Sequence, residues 1–158
     1  MINLLEELFI MTEEHVLWIQ NYLKEVYQTP ILENFLGLEI IEVAGGKVKY
    51  RMKVNDKHCN IYGFVHGGTL ASISDVAMGV SCVTMGKRVV TTDMSISYIK
   101  NVPVGNTLTA VGEVVSNGKT IMRAVSEIFS EQQQLLVRAH ASYFVTGKFC
   151  EDEYPQSK

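Results

Sequence analysis

The sequence predicts an α+β fold, a curved antiparallel sheet of about six strands wrapped round one long central helix with a helical N-terminal arm. Three observations carry this. Residues 66–84 are a run of small and apolar residues whose one acid is Asp75. A helix so poor in charge must be largely enclosed. Segments of extended pattern flank it, two before and four after, and the last four are joined by short links: Pro103-Val104-Gly105, Asn117-Gly118 and Glu131-Gln132-Gln133. Short links force antiparallel neighbours.

The elements follow in order. Residues 1–29 read as a helical arm, with Leu4, Leu5, Leu8 and Phe9, then Val16, Ile19, Leu23 and Val26, at helical spacing. Thr12 is placed to cap the second of these helices. The apolar stripe is expected to pack the arm on the body. Pro30 interrupts, and residues 31–35 fit one more turn before Gly37. Gly45-Gly46 then makes a hairpin turn. After it Val48, Tyr50, Met52 and Val54 alternate with Lys47, Lys49, Arg51 and Lys53, a strand with one dry and one wet face. Residues 55–64 read as a loop leading into the enclosed helix. The later strands fall near 88–100, 106–116, 119–130 and 134–146, with Asn117-Gly118 as the clearest hairpin signal. The body spans 30–146, and residues 147–158 read as a frayed polar tail. A curved sheet round a central helix is the hotdog fold.

Composition narrows the function. A net charge of −3 and a pI near 5.8 give no reason to expect nucleic acid or an anionic membrane as partner. Cys59, Cys82 and Cys150 lack metal-ligand spacing, and an odd, sparse set suits reduced thiols in the cytoplasm. Glu6 and Glu7 stand where a signal peptide would be basic, and no apolar run reaches the roughly 18 residues of a membrane span. His15, His58, His66 and His140 show no ligand spacing, so no metal and no separate cofactor is expected.

The chemistry concentrates in Asn60-x-x-Gly63-x-x-His66-Gly67-Gly68, followed by Asp75 and Gly79 on the enclosed helix. Burying an acid is costly unless it is paired or used. Together with Thr91-Thr92-Asp93-Met94-Ser95-Ile96-Ser97-Tyr98 and Asn117-Gly118-Lys119-Thr120, this pattern resembles the phenylacetate-pathway (PaaI-like) branch of the hotdog acyl-CoA thioesterases. The likeness runs from about residue 36 to residue 146 and leaves out the arm.

The resemblance implies hydrolysis of an acyl-CoA, aryl-acetyl or medium-chain, with coenzyme A as part of the substrate. It implies that His66 and Gly67 polarise the thioester carbonyl, and that Asp75 is the catalytic carboxylate, as nucleophile or general base. Asn60 would help to place the thioester and water. Thr91 would hold water where relatives often carry Ser. Gly68 would admit the ligand close to the backbone. Gly118, Lys119 and Thr120 are candidates for contact with CoA, with Lys87, Arg88 and Lys100 as further cations.

Helix geometry adds a constraint. Asp75 lies eight residues after Gly67, roughly 12 Å along a helix axis. A nucleophile must come within about 3–3.5 Å of its target. The Asp75 of one chain therefore does not serve the carbonyl held at its own Gly67. An obligate homodimer with shared sites follows, and pairing of dimers into a tetramer is the further expectation.

Other residues carry blander readings. Asn60 also suits an Asx turn. Cys82 reads as a small core residue, and adjacent His58 and Cys59 point apart on an extended chain. Asp93 is expected on the same side as Thr91 and Ser95, facing solvent or an interface. Two competing functions are a non-catalytic acyl-CoA sensor and a hotdog hydratase or dehydratase.

Overall fold

The computed structural model describes residues 12–154. The helix expected from Leu4, Leu5, Leu8 and Phe9 lies outside the described residues. Helix α1 (Glu13–Val26) starts where Thr12 Oγ1 accepts the His15 N–H at 3.2 Å. Glu13 and Glu14 in its first turn and Lys24 in its last complement the helix dipole. Its apolar stripe buries Trp18, Ile19 and Leu23 in the same core as the sheet. Past Pro30, α2 (Leu32–Leu36) is a single short helix that Gly37 ends at φ +68°. The Tyr27 hydroxyl at the end of the arm meets that of Tyr50 at 2.7 Å, a buried hydrogen bond joining arm to sheet.

Strands β1 (Glu39–Ala44) and β2 (Lys47–Lys53) form the hairpin at Gly45-Gly46, with Gly46 at φ +78°. Val48, Tyr50 and Met52 point into the core, as the alternation predicts. Helix α3 (Gly67–Val83) follows, then β3 (Lys87–Tyr98), β4 (Thr107–Asn117), β5 (Ile121–Phe129) and β6 (Leu135–Lys148). All pairs are antiparallel, in the order β1-β2-β4-β5-β6-β3, with α3 packed on the sheet. This is the hotdog arrangement. It leaves β3 as an edge strand. Among the described residues no helix is long and apolar enough to cross a membrane.

Helix and sheet meet most closely at Gly112 on β4. A Cβ there would lie 2.0 Å from the Ala77 carbonyl oxygen and 2.9 Å from the Met78 nitrogen. The sheet's inner face is correspondingly small at Ala110, Ala124, Ala139 and Ala141, all buried.

Three local features differ from the sequence pattern. The Asn117-Gly118 hairpin forms with Asn117 paired to Met122, so the link is longer than two residues. Gly118 serves there by close approach, since a Cβ would lie 2.1 Å from the Ile121 carbonyl oxygen. A bulge between Thr91 and Asp93 turns Thr91 to the inner face beside Tyr143 and Asp93 to the outer face beside Ser142. Asp93 and Thr91 are therefore not on one side, because strict alternation breaks at a bulge. Residues 147–149 also differ from the frayed polar tail expected there. Strand β6 continues to Lys148, and Phe149 is buried between Trp18, Tyr22 and Tyr154. A polar composition hid two aromatic residues that cover the arm.

Two measurements check this fold. Gly112→Ala should drive a methyl into the α3 backbone, costing about 1–3 kcal/mol, read as a melting temperature lower by roughly 2–4 °C per kcal/mol. The second concerns alkali. Burial pushes the Tyr27 and Tyr50 phenols well above their ordinary value of 10. The folded state then holds protons that the unfolded chain releases, so this contribution is intact below the unfolded value and is lost as pH rises beyond it. Thermal melts should show a steady loss of stability above about pH 10, smaller in Tyr27→Phe.

Candidate active site

The entry to α3 is built from the preceding loop. The His58 carbonyl accepts the His66 N–H at 2.8 Å and the Thr69 hydroxyl at 3.0 Å. His58 itself is buried, its Nδ1 accepting the Asn55 N–H and its Nε2 donating to the Phe35 carbonyl, each at 3.2 Å. Both ring nitrogens are thus engaged in structure. Cys59 beside it donates instead to the Asn55 carbonyl at 3.4 Å. The chain makes no Cys–His dyad here.

His66 is the N-cap of α3. Its Nδ1 accepts the Gly68 N–H at 2.8 Å. An accepting Nδ1 puts the proton of the neutral ring on Nε2. The Gly68 N–H is therefore spent on the cap, and a Cβ at Gly68 would crowd Nδ1 at 3.1 Å. Gly67 begins the helix, so its N–H has no partner one turn back. The Tyr98 hydroxyl donates to the Gly67 carbonyl at 3.0 Å, and its ring flanks Gly67. Beside them runs a groove of about 310 Å³ lined by Gly67, Leu70, Tyr98, Ile99, Lys100 and Asn101.

Asn60 lies at the start of this loop. Its Oδ1 accepts the N–H groups of Tyr62 and Phe64 at 3.0 and 3.2 Å, an Asx-type turn completed by Gly63 at φ +81°. Its amide N–H₂ is the part that can reach a ligand.

Asp75 sits mid-way along α3 and is half-buried. Its Oδ1 accepts the Thr91 hydroxyl at 2.8 Å and the Tyr143 hydroxyl at 2.9 Å. Neither ion pair among the described residues involves it. Two hydroxyl groups, not a cation, hold this acid. Burial and the Asp75 charge push the Tyr143 phenol up, so it stays a donor. About two turns along, Cys82 is buried and its thiol is pushed up to about 12 by that burial, which leaves it inert.

The structure thus joins Asp75 to Thr91, and His66 to Gly67 and Gly68, as two clusters on one continuous helix. The turn of Gly118, Lys119 and Thr120 joins neither cluster within the chain. It lies beside Lys87, which donates to Asn117 Oδ1 at 2.6 Å and to the Gly118 carbonyl at 2.9 Å. Arg88 is bound to Thr146 and Tyr154, whereas Lys100 borders the groove at Gly67. Sequence reasoning missed Tyr98 and Tyr143. Both are strand aromatics that look like packing residues, and only the spatial register brings their hydroxyls to the helix.

Residues 62–137 match the family model described as the thioesterase superfamily. The human protein named acyl-coenzyme A thioesterase 13 is 30% identical over 106 residues, 65% of this chain and 76% of that one. The structure of the Escherichia coli PaaI protein, from a phenylacetic acid degradation operon, superposes with a TM-score of 0.78 at 25% identity, covering 84% of this chain and 96% of that one. A Streptococcus mutans protein solved with acetyl-CoA bound superposes with a TM-score of 0.71 at 30% identity, covering 77% and 95%. With its hotdog sheet, its capped helix start and its hydroxyl-held acid, the chain belongs to the thioesterase superfamily and is a thioester hydrolase.

Proposed function

We propose that this protein hydrolyses acyl-CoA thioesters, with aryl-acetyl or medium-chain acyl groups, to the free acid and CoA. The observation that carries the reading is Asp75, a half-buried carboxylate held by the hydroxyls of Thr91 and Tyr143 and by no cation. An acid that served only stability would be cheaper to neutralise or replace. The acetyl-CoA bound by the Streptococcus mutans neighbour supports CoA as the leaving group.

In this reading the thioester oxygen lies against the Gly67 N–H and the His66 Nε2–H. Both donors act at the positive end of α3. Either Asp75 attacks the carbonyl carbon and forms a mixed anhydride that water then hydrolyses, or it takes a proton from a water that attacks the carbon directly and that proton passes to the leaving thiolate. The C–S bond breaks, the thiolate leaves as CoA, and water supplies the oxygen of the new acid. Asn60 places the thioester through its amide, and Gly68 holds the His66 ring in its capping position. Gly118, Lys119 and Thr120 meet CoA phosphates, and Lys100 is a further cation for them.

Each site takes His66 and Gly67 from one chain and Asp75 from its partner. The roughly 12 Å of helix between the two clusters supports this. So does the free edge of β3, twelve residues long and exposed for most of its length. A long open edge is a template for pairing. Ile61 and Tyr62, 91% and 77% exposed beside the helix start, supply apolar surface for a partner to cover. Free thiols at Cys59, Cys82 and Cys150 suit a cytoplasmic setting.

Free-thiol release from a panel of aryl and aliphatic acyl-CoAs tests the activity. Wild type should cleave some members, and Asp75→Asn should lose about a hundredfold or more in kcat. Thiol release from none would sink the reading. The shared site has its own test. Asp75→Asn and His66→Ala chains, each strongly slowed alone, should regain about a quarter of wild-type activity when unfolded and refolded together, because half the dimers then hold one intact site. No recovery would argue for sites within single chains.

A further inference from the structure

Gly79 stands in the motif that singles out Asp75, yet the chemistry above gives it no part. It lies one helical turn after Asp75, on the same face of α3. A Cβ at Gly79 would lie 3.5 Å from Cε1 of the Tyr143 ring. Tyr143 comes from the inner face of β6, where its neighbours on that face include Ala139 and Ala141. A bare stretch of helix and a row of small strand residues thus leave a slot for one ring. The ring fills it, 1% exposed, and its hydroxyl ends at Asp75.

That hydroxyl touches Asp75 twice. It lies 2.9 Å from Oδ1 and 3.1 Å from the main-chain carbonyl of the same residue. Thr91 donates to Oδ1 as well, at 2.8 Å. Both hydroxyl donors therefore converge on one carboxylate oxygen. The two come from neighbouring strands, paired at Thr91 and Tyr143. A carboxylate gripped on one oxygen from two strands loses rotation about its side-chain bonds. Thr91 is exposed and sits beside a bulge, whereas Tyr143 is fixed by burial.

We propose that Tyr143 is a positioning residue for Asp75: with Thr91 it engages Oδ1 and so turns Oδ2 towards the thioester or its water, and Gly79 makes the room this requires. Tyr143 does not touch the substrate and acts through the carboxylate. The inference rests on the reading of Asp75 as the catalytic acid. It assigns the two oxygens of that acid different tasks.

The experiment is Tyr143→Phe in the full chain, which keeps the ring and removes the hydroxyl. Acyl-CoA hydrolysis is measured for this variant alone and combined with Asp75→Asn. The single variant should lower kcat about 10- to 100-fold, the effect of losing one hydrogen bond to a charged group, with KM within about twofold. In the Asp75→Asn background the same change should cost less than about twofold, because its target is gone. Wild-type kcat in Tyr143→Phe, with Asp75→Asn slowed about a hundredfold or more, overturns the inference and leaves the catalytic acid standing. Equal losses in both backgrounds overturn it too, since they mark a general effect on the fold. No turnover by wild type removes both. If Tyr143→Phe does not melt cooperatively, Gly79→Val, which displaces the ring and keeps its hydroxyl, must show the same loss confined to kcat, or the inference falls.

Discussion

Everything in this molecule depends on how closely α3 lies on the sheet. At Gly112 the backbone of β4 meets the backbone of the helix with no side chain between them. The interface around that point is made of small groups: Ser74, Ala77 and Ser81 on the helix, Ala110, Ala124, Ala139 and Ala141 on the strands. Interiors are close-packed, so helix depth is set by the smallest residues that touch. A few ångströms more separation would carry Asp75 out of reach of Thr91 and Tyr143. The same closeness explains why the helix carries a single acid along its length. There is little room for solvent to support a second.

The two ends of the chemistry are prepared by different physics. At the helix start the proposed donors are a backbone N–H and an imidazole, arranged by the cap that His66 makes on Gly68. Their polarity comes from the unsatisfied first turn and needs no net charge. At mid-helix the proposed group is the Asp75 carboxyl, which accepts hydroxyl hydrogen bonds from two strands. The helix is stiff, so it keeps the two ends apart as firmly as it keeps each in place. A stiff spacer of this kind is what the proposed sharing of sites between two chains rests on.

The arm and the chain end behave as one unit. Trp18 and Tyr22 on α1 pack tilted or edge-on against Phe149 and Tyr154 beyond β6, and Tyr27 reaches the buried Tyr50. Aromatic rings from both ends of the described chain thus close the same side of the core. Among the described residues, the arm enlarges the buried cluster.

The amino-acid pattern alone marks those features that depend on near neighbours in the chain. The charge-poor run with one acid marked the enclosed helix, period-two alternation marked β2, and glycine and proline marked the turns. His66, Gly67 and Asp75 were legible because glycines at a helix start and an acid on a buried face break ordinary composition rules. Only the tertiary structure decided the rest. The bulge after Thr91 left that hydroxyl facing inward and sent Asp93 outward, against the alternation, because an added residue in an edge strand shifts every later side chain. Gly118 and Gly112 owe their places to atoms far along the chain that no local pattern records. Tyr143 became a partner of Asp75 because strand order set β6 next to β3 and under the helix, 68 residues away in sequence. Hydrogen bonds between distant hydroxyls and carboxylates follow from register and depth, and those are properties of the packed whole.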